Sequence, residues 1–150
     1  MSPVVSDDPY LNRDFLVQIM GITDDGSAGL QASFAEVTGL GARITPVEYR
    51  AGGDLSVRKL PGRATYPNVT FTRGINGNLA FWEWMKSALS GQVVRSDISV
   101  DLLNDVAEPV LSFRLRRAWP VRFEGPRLNA TGNDVAVEVL EICHERLELA

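Results

Sequence analysis

Hydrophobic and polar residues alternate along most of this chain with the period of two that belongs to half-buried strands. Residues 13–22 put Phe15, Val17 and Ile19 on one face and Gln18 on the other. Turn chemistry at 23–29 (TDDGSAG) leads into a second extended run at 30–37, so the two predict a hairpin. Gly39-Leu40-Gly41 breaks the pattern, and 43–50 resumes it with Pro46, which removes one ladder donor and marks an edge or a bulge. Residues 64–73 set Val69 and Phe71 against Thr70 and Thr72. Residues 93–103 alternate through Ile98, Val100 and Leu102, and 110–117 run back with Leu111, Phe113 and Leu115 inward. A bent crossing at 118–126 and a polar loop at 128–134 precede the last run. There Val135, Val137 and Val139 alternate with Ala136 and Glu138 until the phase blurs at Leu140 and Ile142, which predicts a bulge or burial of both faces.

One stretch changes period. Leu79, Trp82, Met85 and Leu89 recur at helical spacing and are expected as the core anchors of a short amphipathic helix, with Phe81, Trp84 and Ala88 widening the stripe. Asn76 or Asn78 is placed to cap its start and Gly91 to close its end. The predicted fold is therefore mainly β: a barrel or sandwich of six or seven strands with one short α-helix capping an end. With 150 residues the chain reads as a single domain, 1–150, in which 1–11, rich in Pro and Asp, forms a flexible N-terminal arm.

The least ordinary stretch is 47–74. It reads as two extended runs around a loop at 51–63, longer than the two to five residues that usually join a hairpin. Gly52 and Gly53 let the backbone turn, Arg58, Lys59 and Arg63 bring positive charge with Asp54 among them, and Pro61 and Gly62 set the return. Long ordered loops tend to carry function, and this one reads as a contact device between copies of the protein. Charge adds to the picture because it is segregated. Residues 1–36 carry −5 and 129–150 carry −4, whereas 37–73 and 112–128 carry +4 each, within a net charge of −4. Such blocks suit association through complementary faces, or they neutralise each other within one subunit. Arg114 and Arg116, outward on their strand, are candidates for a lumen or an interface, against the plainer reading of a solvated face.

Chemistry at a site finds little material. The chain has one histidine and one cysteine; His144 and Cys143 adjoin on a predicted strand, which would point them to opposite faces and exclude a nucleophile–base pair. No spacing fits a metal site or a phosphate-binding loop, so no catalytic, cofactor or metal residue is assigned. Basic residues interleaved with aromatics at 43–73 fall on strand positions that packing explains, which argues against sequence-specific nucleic-acid binding. Asn68-Val69-Thr70 and Asn129-Ala130-Thr131 match the glycosylation pattern by chance. No signal peptide or membrane-spanning run is seen, and synthesis in the cytoplasm is expected.

Taken in order, F-x-E-V-T-G-L (Phe34 to Leu40), E-Y-R-A-G-G (Glu48 to Gly53), R-K-L-P-G (Arg58 to Gly62), V-T-F-T-R-G-I (Val69 to Ile75), the Phe81-Trp82-Glu83-Trp84 helix, A-W-P (Ala118 to Pro120), E-G-P-R-L-N-A (Glu124 to Ala130), V-A-V-E-V-L-E (Val135 to Glu141) and His144-Glu145 resemble the tail tube proteins of contractile phages and phage-derived contractile injection systems. The resemblance covers roughly residues 12–148. It implies a subunit similar to the type VI secretion tube ring protein, assembled as six-fold rings that stack into a hollow tube inside a sheath. The implied partners are further copies of itself, sheath subunits, baseplate or tube-initiating proteins, and a protein cargo in the lumen; the particle is a phage tail or a released injection device. The resemblance also implies that 51–63 reaches toward a neighbouring ring or subunit. Two other readings are a tube–baseplate adaptor of the same fold and, from a different class, a monomeric small-ligand-binding β-barrel.

Overall fold

A computed structural model describes residues 2–21, 29–32, 34–53 and 55–150, with 29–32 as backbone only. Its strands are β1 (Phe15–Met20), β2 (Gly29–Ala32), β3 (Glu36–Thr38), β4 (Arg43–Tyr49), β5 (Arg58–Thr65), β6 (Val69–Gly74), β7 (Ser96–Leu103), β8 (Pro109–Glu124), β9 (Val137–Cys143) and β10 (Arg146–Leu149); the helix α1 spans Ala80–Leu89. The mainly β expectation with one short helix holds, but ten strands replace six or seven. Among the described residues two predicted runs split, 30–37 into β2 and β3 and 64–73 into the end of β5 and β6, and β10 at Arg146–Leu149 adds a strand that alternation did not mark. The turn expected at 23–29 falls mostly outside the described residues, while the hairpin it joins is present, with Val17 opposite Ala32 and Ile19 opposite Leu30.

Eight strands form one sheet in the order β2-β1-β7-β8-β9-β6-β3, with β10 also pairing β8, and the path does not close. Its spine is β8, whose 16 residues serve two partners in succession. The first half pairs with β7 and β10, the second with β9. The changeover is a bulge: Ser96 faces Ala118 and Ile98 faces Leu115, so β8 has one residue more than β7 there, and Arg117 adopts φ 53°. The bent crossing expected after 117 is this bend within a continuous strand. It turns the two halves of the sheet toward each other around one core of Val17, Ile19, Val69, Phe71, Ile98, Val100, Leu115, Leu140 and Ile142.

The helix closes that core, with a different face from the one expected. Ala80, Phe81 and Trp84 are buried, while Leu79 (61% exposed), Trp82 (39%) and Leu89 (65%) point outward and Met85 is half-buried. The expected anchors are therefore corrected. The apolar arc of α1 is broad, with Glu83, Lys86 and Ser87 on the remaining side, so spacing alone left two stripes available, and the sheet took the one with Phe81, which stacks on Phe34 at 5.5 Å. Trp84 adds a hydrogen bond from its indole N–H to the Val94 carbonyl (2.8 Å). Gly91, at φ 89°, turns the chain out of the helix as expected, but the N-cap position is Leu79, which offers no side-chain cap; Asn78, one residue earlier, accepts from the Ala80 N–H through Oδ1 (2.8 Å).

The last large strand also corrects its predicted phase. Glu138, Leu140 and Ile142 of β9 point inward, and Val135 is left exposed outside the strand. A glutamate is tolerated inside because Arg73 of β6, 2% exposed, faces it and forms an ion pair with it. The Arg73 guanidinium lies 3.9 Å from the centroid of the Phe81 ring and donates to the Asn78 carbonyl (3.3 Å). One buried cation thus ties β6, β9 and the start of α1 together.

Candidate functional site

β4 and β5 form a sheet of their own, apart from the eight-stranded one. Every residue of β4 is exposed, and in β5 only Gly62 is partly covered. The pair is a two-stranded ribbon standing off the body. Its register runs Arg43–Thr65, Ile44–Ala64, Pro46–Pro61, Val47–Leu60, Glu48–Lys59 and Tyr49–Arg58. The long loop expected at 51–63 is accordingly shorter, 50–57, and Arg58, Lys59, Pro61, Gly62 and Arg63 belong to a strand. Pro61 marks a turn by local pattern, yet it lies within β5. In a two-stranded ribbon both strands are edges, so a proline whose missing N–H would point outward costs no ladder bond. A register shift between Ile44 and Pro46 places Thr45 against Gly62, where an added Cβ would meet the Thr45 carbonyl oxygen at 2.3 Å. Gly52 and Gly53 sit in the tip turn, Gly53 at φ 92°. Asp54 lies outside the described residues.

The ribbon's faces differ in chemistry. Val47, Leu60, Tyr49 and Arg58 share one, and Glu48 and Lys59 lie opposite each other on the other with the two prolines. Ile44, Val47, Tyr49, Val57 and Leu60 are all largely exposed, and Leu55 at the tip is 100% exposed. A lone two-stranded hairpin is marginal in water, and apolar groups displayed on this scale mark an interaction surface. The whole chain exposes 10086 Å², against about 7,500 Å² for a compact monomer of its mass.

A second surface is the outward face of β7, β8 and β10. Arg116, half-buried, spans two acids, with Nη1 3.0 Å from Asp97 Oδ2 and Nη2 2.9 Å from Glu148 Oε2. The backbone N–H of Arg117, at the bulge, donates to Asp97 Oδ1 (3.1 Å). That bond and Arg116 hold the Asp97 carboxyl below the usual range, and Arg116 does the same to Glu148. Arg114 lies on the same face, between Ser99 and Glu148. Arg116 is thus part of an ion-pair network within the subunit.

Little else invites chemistry. Among the described residues no group of three or more His, Cys, Asp and Glu is placed to hold a metal, and no helix is long and apolar enough to cross a membrane. Burial raises the Cys143 thiol, which makes a poor nucleophile of it. Phe15, Val37, Leu40, Val100, Leu102 and Phe113 line an open apolar cleft of about 390 Å³.

The pattern of the family described as T4-like virus tail tube protein gp19 matches residues 11–148. The chain belongs to that family. Among solved structures this tail tube protein is similar to a chain of the sheath-tube complex, in the extended state, of PVC, an extracellular contractile injection system. That chain is 26% identical, with TM-score 0.84 over 96% of this chain and 93% of that one. A chain of the sheath/tube terminator of the same system is also 26% identical, with TM-score 0.85 over 97% and 99%. Hcp1 from Flavobacterium johnsoniae, 14% identical with TM-score 0.58 over 89% and 94%, shares the fold. No curated protein matches.

Proposed function

We infer that this tail tube protein is a structural subunit of the inner tube of a contractile injection particle, assembling head to tail as stacked six-fold rings with a central channel. The observation that carries the reading is the β4–β5 ribbon: an apolar, exposed hairpin off the body, in a chain that belongs to a tail tube family and is 26% identical to a chain of a contractile sheath-tube complex. A contact in which one surface of a copy meets a different surface of the next does not terminate, so it generates rings and filaments. Sheath and baseplate proteins are the other partners this role requires, and a cargo fills the channel. No step of it needs an enzyme.

Substituting Leu55 and Val57 by Asp tests the reading, because both side chains are exposed in the single subunit. The variant melts like the parent yet forms no tubes by negative-stain electron microscopy; tubes of normal length and number would overturn the role of the ribbon. Among particle proteins this subunit dominates the mass of sheared tubes, whereas an adaptor is scarce there. The apolar cleft at Phe15 and Phe113 is what a ligand-binding barrel would use, and a parent protein that stays monomeric by light scattering at assembly concentrations favours that second reading.

A further inference from the structure

The ribbon is exposed along almost its whole length, so its direction is set where it leaves the body, at 39–42 on one side and 66–68 on the other. Four observations converge on the second of these. Tyr66 precedes Pro67, which biases it to an extended backbone and leaves the linker with no N–H at Pro67. Asn68 Nδ2 donates to Glu141 Oε2 (2.7 Å), and Glu141 Oε1 is held in turn by Arg122 Nε (2.9 Å), so β8 and β9 both grip the linker. His144, just beyond β9, has Nε2 3.1 Å from the Pro67 carbonyl oxygen, and its ring lies 5.6 Å from that of Tyr66. On the other side Gly39, at φ 96°, lies so close to Asn68 that a Cβ there would be 2.2 Å from the Asn68 carbonyl oxygen.

The bond between His144 and Pro67 has a defined direction. A carbonyl oxygen only accepts, so Nε2 is the donor. Nδ1 is buried and has no hydrogen-bond partner among the described residues. Asn68 is the main cause of the lowered carboxyl of Glu141, so the linker and the body stabilise each other's charge and geometry.

We propose that Asn68, Glu141 and His144 form a clamp that holds the ribbon at one fixed angle to the body and so positions it for the next copy. The proposal rests on the ribbon being the contact between copies, but the clamp itself is a property of the single subunit. A ribbon free to swing would have to be ordered at each addition, and a clamped one arrives preorganised. These are positioning residues: they touch the base of the ribbon, about one strand length from its tip.

The test uses spin labels at Leu55→Cys on the tip and Val106→Cys on the β7–β8 turn, in a Cys143→Ser background, and reads their distance distribution in dilute subunit. The parent gives a single narrow distribution. Asn68→Ala with His144→Ala broadens it at least two-fold, with the melting temperature of the body little changed. In chains with native Leu55 and Val106, the same pair of substitutions lowers tube yield about ten-fold. His144→Gln, whose amide still reaches Pro67 as a donor, retains most of the order that His144→Ala loses, and this single-site comparison decides the matter if the double variant fails to fold. An unchanged distance distribution overturns the clamp, and a broadened one with normal tube yield overturns its positioning role. If the parent never forms tubes, the tube reading fails while the distance measurement still decides the clamp.

Discussion

Trp84 is 2% exposed and anchors α1 through its ring and its bond to Val94, whereas Trp82, 39% exposed, lies against Phe123 at 5.5 Å on the outer face. Trp84→Ala is expected to cost about 3–5 kcal/mol and Trp82→Ala much less, measured by denaturant unfolding; equal losses would mean that the outer stripe is covered within the subunit. Arg73 and Glu138 form a buried pair, so removing one partner leaves an uncompensated charge. Arg73→Met or Glu138→Leu alone is expected to destabilise by about 3–5 kcal/mol, and the two together to recover most of it, in a double-mutant cycle. The sequence signalled this pair only weakly. Arg73 stands in an alternating strand as an ordinary outward cation would, and Glu138 falls in the phase opposite to three valines, so only the register that sets Arg73 against Glu138 reveals both as inward.

At the scale of elements, the bulge in β8 joins three strands through charge. Asp97 of β7, Arg116 and Arg117 of β8 and Glu148 of β10 form one network, and the carboxyls of Asp97 and Glu148 are both held below the ordinary range by these hydrogen bonds. A carboxylate with a depressed folded-state pKa contributes stability that is complete above its unfolded value, near 4, and is lost as pH falls through the lower folded value. Unfolding midpoints should therefore be flat from neutrality to about pH 5 and fall below pH 4. In Arg116→Leu the acid-dependent part of that fall shrinks. A fall of the same size with and without Arg116 would show that other carboxylates control it. The strands flanking the bulge were legible from alternation, since Ile98, Val100, Phe113 and Leu115 carry a clear period of two. The continuity of β8 was not, because Pro120 and the bend at Arg117 look locally like a strand end.

At the scale of the molecule, excess surface is the governing fact. A chain that displays Leu55, Val57, Leu60, Tyr49, Leu79 and Leu89 to water exposes about a third more area than its mass requires. On the proposed reading, the ribbon is completed only by a neighbour. Tube growth then follows from one repeated heterologous contact. The charge blocks act on its direction: the ribbon strands carry Arg43, Arg58, Lys59 and Arg63 against Glu48, while the segment 1–36 carries −5. Attraction between blocks of this kind weakens with salt. In the proposed contact, charge therefore aids register more than it holds the tube together, and the apolar tip supplies the affinity that Leu55→Asp with Val57→Asp is expected to remove.

The sequence by itself determined the strand-rich class, the position of the single helix with Gly91 closing it, the β1–β2 and β7–β8 pairings and the family resemblance. All of these rest on local period, turn chemistry or motif order, which neighbouring residues encode. Tertiary structure decided which face of α1 is buried, because its apolar arc is broad enough to hold two stripes and only packing against Phe34 selects Phe81 over Trp82. It decided that Glu138 is inside, because its partner is 65 residues away. It also decided that 58–63 is strand and not loop, because an isolated ribbon tolerates prolines that a sheet interior rejects. The expected contact segment thereby became a projecting hairpin, with its angle set by Asn68, Glu141 and His144, residues that no local pattern singles out together.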